Sequence, residues 1–137
     1  MTTVLLDTNA LVSFLTDRDE AQQQRVARLF RDAADGRTEV LLHQTVLTEC
    51  VYVLTNLYDV EPREVKELLG ELLSMPGMST IHELAWPAGL DRWPEPYRDL
   101  ADACLATVAR EYGRPKIATF DQGLAKQLRR EGLSTLW

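Results

Sequence analysis

Four acidic residues carry the chemistry this sequence can do: Asp7, Glu49, Asp102 and Asp121. Asp7 stops the apolar run Val4-Leu5-Leu6, and Asp121 follows the run Ile117-Ala118-Thr119. Glu49 and Asp102 interrupt the apolar stretches Val46–Leu54 and Leu100–Ala106, where a crowded, buried setting is expected. A buried carboxylate is costly unless it is paired, hydrogen-bonded or metal-bound. Glu49 has no basic residue at i±3 or i±4, and Arg98 is the nearest candidate for Asp102. Carboxylates gathered at one point raise one another's pKa, and hard divalent cations with oxygen ligands, Mg²⁺ or Mn²⁺, relieve the repulsion. Two such ions about 4 Å apart activate water and stabilise the leaving oxygen of a phosphodiester. Taken singly, each acid has a plainer reading. Asp7 and Asp121 suit helix caps, Glu49 a solvated edge, and Asp102 the positive end of a helix.

The elements that would gather these acids can be read from periodicity. Strands are expected at Val4–Leu6, Val40–Leu42, Met78–Ile81 and Ile117–Thr119, with a turn at Asp7-Thr8-Asn9 and a possible last strand over Leu133–Trp137. Helical spacing marks Asp19–Ala34, Thr45–Tyr58, a helix opening near Pro62 and ending at Met75-Pro76-Gly77, Asp99–Tyr112, and Gln122–Glu131. Leu84–Pro96, broken by Pro87, Gly89, Pro94 and Pro96, allows only a short helix. Short apolar strands alternating with amphipathic helices predict an α/β fold, a parallel sheet covered on both faces with right-handed crossovers. Ligands bind at the carboxyl ends of such strands, where Asp7 and Asp121 stand.

Composition sets the outer bounds. The 137 residues suit one domain, since chains divide mostly beyond about 200 residues. A hydrophobic fraction of 45% supports a core, and no apolar run approaches the ~20 residues of a membrane helix. Met1-Thr2-Thr3 lacks the basic stretch of a signal peptide. Cys50 and Cys104 are too few for a disulfide scaffold, and His43 and His82 stand alone, so a reducing cytoplasmic setting is expected and a zinc site is not. A net charge of −6 argues against coating nucleic acid by bulk charge. Four of the 21 acids would sit in the proposed site, so much of that acidity is local and RNA engagement is expected to depend on metal.

Asp7-Thr8-Asn9 after an N-terminal strand, Glu49 in an early helix, Ala101-Asp102-Ala103 opening a late helix, and Thr119-Phe120-Asp121 after the last core strand resemble the PIN-domain family. Size and coverage resemble its VapC-type toxin branch. The resemblance implies a single PIN domain over residues 1–137, with a three-layer α/β/α fold and a central parallel sheet. It implies Mg²⁺- or Mn²⁺-dependent endoribonuclease activity, a homodimer and a cognate antitoxin. Asp7, Glu49, Asp102 and Asp121 match the four acidic positions, with Asp7 and Asp102 the surest ligands. Asn9 and Thr119 match polar positions that orient carboxylates or water. Asp99 is either an N-cap or a ligand, with the cap favoured.

The expected reaction is hydrolysis of RNA by metal-activated water, leaving a 5′-phosphate and a 3′-hydroxyl. RNA needs cations at the rim; Arg18, Arg110, Arg114, Lys116, Lys126, Arg129 and Arg130 are the candidates, and each alone also reads as a solvated helix face. Apolar surface on the Asp19–Ala34 and Thr45–Leu73 helices could receive an amphipathic antitoxin segment, with an arginine reaching the carboxylates. The rival readings are a non-catalytic PIN-like binding protein and a haloacid-dehalogenase-like phosphatase. The latter wants a second Asp where Asn9 stands and a lysine motif that is missing. A receiver domain lacks its acidic pair, and no Walker loop, GxGxxG or Ser/His/Asp pattern competes.

Overall fold

The computed structural model describes residues Met1–Trp137. Four short strands form one sheet: β1 (Thr2–Leu6), β2 (Thr38–His43), β3 (Met78–Ile81) and β4 (Lys116–Ala118). Their order is β3-β2-β1-β4 and every pairing is parallel. Parallel neighbours require long crossovers, and each crossover here uses two helices. α1 (Thr8–Leu15) and α2 (Glu20–Ala34) join β1 to β2; α3 (Gln44–Asn56) and α4 (Pro62–Ser74) join β2 to β3. α5 (Trp86–Asp91) and α6 (Leu100–Glu111) lead back to β4, and α7 (Gln122–Arg130) follows. The expected α/β/α architecture with a central parallel sheet is the one observed.

The centres of β1, β2 and β4 are apolar because they are covered on both faces, while edge strand β3 buries only Ile81. Val4, Leu5, Leu6, Val40, Leu42, Ile117 and Ala118 are all essentially inaccessible, and they join α1, α2, α3 and α6 side chains in one core. The chain builds outward from β1 through β2 to β3, then returns to the other side of β1 as β4. The strand order therefore reverses between β1 and β4. Leu6 lies opposite Ala118, and the Asp7 N–H donates to the Ala118 carbonyl at 3.0 Å. The crevice expected at such a reversal opens beyond these two strand ends.

Two segments differ from the sequence reading, and a third, Leu84–Pro96, holds the short helix expected of it. Thr8-Asn9 is the first turn of α1 and not a free turn. That helix buries Thr8, Ala10, Leu11, Val12 and Ser13, so it shows no polar face from which a helical period could be read. Leu133–Trp137 forms no strand; Ile117 and Thr135 make one isolated parallel bridge, closed by bonds from Ile117 N–H to Ser134 O and from Leu136 N–H to Ile117 O. Within Leu84–Pro96, a short α5 packs closely on α6, with Gly89 3.8 Å from Cys104 Sγ and Thr107 Oγ1, measured from the position of an added Cβ.

One glycine is required by the packing. Gly77 enters β3 with φ +83°, and a Cβ there would lie 2.6 Å from the Ala33 carbonyl oxygen of α2. Its own carbonyl accepts from Val40 N–H at 2.8 Å, which joins the start of β3 to β2.

Candidate active site

Asp7 is placed by β1 and then held by its neighbours. It is the N-cap of α1, with Oδ1 accepting from Thr8 N–H at 2.8 Å. Oδ2 accepts from the Thr119 hydroxyl at 2.7 Å and from the Asn9 amide at 3.0 Å. Asn9 extends the lattice, since its Oδ1 accepts from Phe120 N–H at 3.0 Å. Thr119, fully buried just past β4, also accepts from Asp121 N–H at 3.1 Å. Asn9 and Thr119 thus tie the end of β1 to the loop after β4 and fix the Asp7 carboxylate between them.

Asp121 caps α7, with Oδ1 accepting from Leu124 N–H at 3.0 Å, and is exposed. Asp99 caps α6 in the same manner, accepting from Asp102 N–H at 3.1 Å, which is the capping role favoured for it from sequence. Asp102 sits in the first turn of α6, half-buried. Glu49 departs from expectation. It lies on the exposed side of α3, and the apolar positions around it belong to the opposite, buried stripe of Val46, Cys50 and Leu54.

Electrostatics show that these acids share one neighbourhood. Burial pushes the Asp7 carboxyl above its usual range; the Thr119 and Thr8 hydrogen bonds oppose this, and the Asp121 and Asp99 charges add to it. Asp102 is pushed up to about 7, first by burial and then by Asp7, Asp99, Asp121 and Glu49. Glu49, though exposed as a residue, has protein against its carboxyl and feels Asp7 and Asp99, so its pKa is raised as well. The fold has gathered the four sequence-derived acids with Asp99 as a fifth, at the edge where the strand order reverses.

This donor set fits a hard divalent cation. All its groups are oxygen ligands, and their repulsion lacks a cation of the protein's own at the centre. No three His, Cys, Asp or Glu side chains form a ready-made cage. An ion of the Mg²⁺ type keeps several waters and takes only one or two carboxylates directly, so it does not need such a cage. No protein nucleophile competes: Cys50 is buried with its thiol pushed up to about 12, and Cys104 is buried with its pKa raised. His43, at the end of β2, is buried and engaged, with Nδ1 toward Thr45 and Nε2 2.9 Å from the Glu83 carbonyl.

Two clefts flank the acids. One, of about 480 Å³, runs along Glu49 with Gln44, Thr48, Tyr52 and Trp86. The other, of about 330 Å³, is lined by Asn9, Arg18, Asp19, Gln22, Phe120 and Asp121. Arg18 is the one basic residue lining either cleft. Sequence alone could not single it out from the other rim candidates, because its place follows from the unforeseen helix α1.

A family model described as PIN domain matches residues 4–128. The chain belongs to the PIN-domain family. PIN domains are in general nucleases that use divalent metal ions, which agrees with the acidic site at the switch point. Among solved structures, this PIN domain is similar to the one described as "Crystal structure of VapBC2 from Rickettsia felis bound to a DNA fragment from their promoter". The identity is 14%, the TM-score is 0.67, and the match covers 98% of this chain and 97% of that chain. No curated protein matches the sequence. At that identity the likeness speaks for the fold. No helix of this PIN domain is long and apolar enough to cross a membrane.

Proposed function

We propose that this PIN domain is a Mg²⁺- or Mn²⁺-dependent endoribonuclease and the toxin of a VapBC-type toxin–antitoxin pair. The observation that carries the reading is the Asp7 carboxylate, held by Thr119 and Asn9 at the carboxyl edge where the strand order reverses; the raised pKa of Asp102, from burial and from Asp7, Asp99, Asp121 and Glu49, supports it. A protein that gathers so much like charge at a ligand-binding edge has a cation as its natural complement. When bound, divalent ions supply an acidified water and neutralise charge on the phosphodiester oxygens.

The chain's own residues hold and orient. Asp7 and Asp102 are the principal ligands; Glu49 and Asp121 complete the set directly or through waters. Asn9 and Thr119 position Asp7 by donating to its Oδ2, which leaves Oδ1 a lone pair beyond its bond to Thr8. Asp99 stays committed to the α6 N-terminus and adds negative charge to the site. Complete retention of the acids favours catalysis over a non-catalytic binding role, and the family match disfavours the phosphatase reading. The VapBC2 structure contains a toxin–antitoxin complex on promoter DNA. By analogy, this chain works as a homodimer restrained by a cognate antitoxin whose amphipathic segment covers apolar helix surface.

The test is cleavage of an RNA panel by purified, antitoxin-free protein, with mapping of the ends. Cleavage is expected only with Mg²⁺ or Mn²⁺, leaving 5′-phosphate and 3′-hydroxyl ends. It is expected to vanish in Asp7→Asn and Asp102→Asn while folding and dimerisation persist. Absence of cleavage across the panel would overturn the nuclease reading, and 2′,3′-cyclic phosphate ends would overturn the water-attack chemistry.

A further inference from the structure

The basic residues that surround the site in sequence separate in the fold. Lys116 begins β4, at the opposite edge of the sheet from the acids. Arg129 and Arg130 end α7, whose first turn is capped by Asp121. Arg110 and Arg114 donate to the carbonyls of Glu131 and Gly132. Arg18 is the one basic residue lining the cleft shared by Asn9, Asp19, Gln22 and Asp121.

Arg18 is also held in an unusual way. Its Nε donates to Ser13 Oγ at 2.9 Å and its Nη2 to the Asn9 carbonyl at 2.7 Å. Both acceptors are neutral, and the only ion pairs within 4.0 Å in the molecule are those of Arg37 with Asp32 and Asp35. Ser13 is fully buried and donates onward to Gln22 Oε1 at 2.8 Å. The guanidinium is therefore held at two of its nitrogens, has no carboxylate within 4.0 Å, and retains N–H donors for the exposed side. The two hydrogen bonds offset the entropy of ordering the side chain without neutralising it. The carbonyl it grips belongs to Asn9, the residue that also binds Asp7 and Phe120.

We infer that Arg18 is a phosphate-binding residue for the RNA backbone, engaging a phosphodiester next to the one that is cut, with the Gln22 amide as a second donor. This rests on the ribonuclease reading above. A planar fork of N–H donors matches phosphate oxygens better than a lysine ammonium does. Through Asn9, a phosphate seated on Arg18 is registered to Asp7, so the residue sets which linkage meets the acids. It is a positioning residue and makes no bond to the reacting atoms.

The test measures binding of a short uridine-rich single-stranded RNA across a range of salt, with Mg²⁺ present and Asp102→Asn as the background that prevents cleavage. Adding Arg18→Ala is expected to raise Kd roughly tenfold and to reduce the slope of log K against log salt by about 0.7, the share of one phosphate contact on a single strand. Arg18→Lys should restore the slope and only part of the affinity. Lys66→Ala, on exposed α4, should change neither. A purely structural tether would lower Tm and leave the slope unaltered. As an independent readout, a neutral methylphosphonate at one flanking linkage should reproduce the loss in the Arg18 protein and add nothing to Arg18→Ala. Unchanged Kd and slope in Arg18→Ala, with wild-type protein still cleaving RNA, would overturn this inference alone. Wild-type protein that neither binds nor cleaves RNA would overturn the nuclease reading and this inference with it.

Discussion

Without a cation, Asp102 shares the start of α6 with its cap, Asp99, and faces Asp7, Asp121 and Glu49 as well. Removing its charge removes that repulsion. Asp102→Asn is therefore expected to abolish cleavage yet to raise stability by about 1–2 kcal/mol at pH 8 in chelator, seen as a gain of several degrees in Tm. A lower Tm under those conditions would show that Asp102 is not frustrated. Asn9 has the opposite balance. It satisfies Phe120 N–H and donates to Asp7, so Asn9→Ala leaves a backbone donor unmet and Asp7 less constrained. The expected cost is about 1–3 kcal/mol, with reduced activity per folded molecule, checked by thermal melts alongside cleavage rates. At this scale the sequence was informative about Asp7 and Asp121, because an acid that halts an apolar run is conspicuous. It was misleading about Glu49, whose apolar neighbours line the opposite face of α3. Arg18 was one of seven equivalent cations until Ser13 and Asn9 gave it an address.

At the scale of elements, the strands were legible because each carries a short apolar run, buried in β1, β2 and β4, and the charged or polar residue after that run marks its end. α2 and α4 were legible through their buried stripes, and α6, buried continuously over Ala103–Ala109, through its length of 12 residues. α1 was not, since a short helix buried nearly all round has no period to display. The last residues were misjudged because a run of apolar and β-branched residues suits one bridge as well as a strand. Packing at the amino edge of the sheet can be tested apart from the chemistry. Gly77→Ala would force φ +83° on a residue with a Cβ and place that Cβ 2.6 Å from the Ala33 carbonyl. A loss of about 2–4 kcal/mol is expected in urea unfolding. Because Gly77 precedes β3 at the edge away from the acids, cleavage per folded molecule should be unchanged at low temperature; a loss of activity there would mean that strain crosses the sheet.

For the whole molecule, the site acids and His43 set opposing responses to pH. Asp7, Glu49 and Asp102 have folded pKa values above their unfolded ones, so the stability they contribute is full below about pH 4 and is lost as pH rises through their folded values, near 7 for Asp102. His43 is shifted down by burial, so its contribution is present above 6.5 and is lost as pH falls through its lower folded value. The cation-free protein is therefore expected to be most stable at mildly acidic pH. Divalent ions compete with the protons on Asp102, so their binding should release protons and the Tm gain from Mg²⁺ or Mn²⁺ should be much larger at pH 8 than at pH 5. Melts in chelator and in metal across that range decide the matter; a metal-induced gain that is equal at both ends would contradict the shared acidic site.

Phe120 stacks face to face on Trp137, with centroids 4.3 Å apart and planes within 1° of parallel. Phe120 is also the residue whose N–H is held by Asn9 and whose neighbour is Asp121. The protein has three tryptophans, and the other two, Trp86 and Trp93, are exposed. Replacing those two with phenylalanine would leave one indole, wired by a single stacked ring to the acidic edge. Its emission would then read out occupancy of that edge in real time, with no label attached and no substrate consumed.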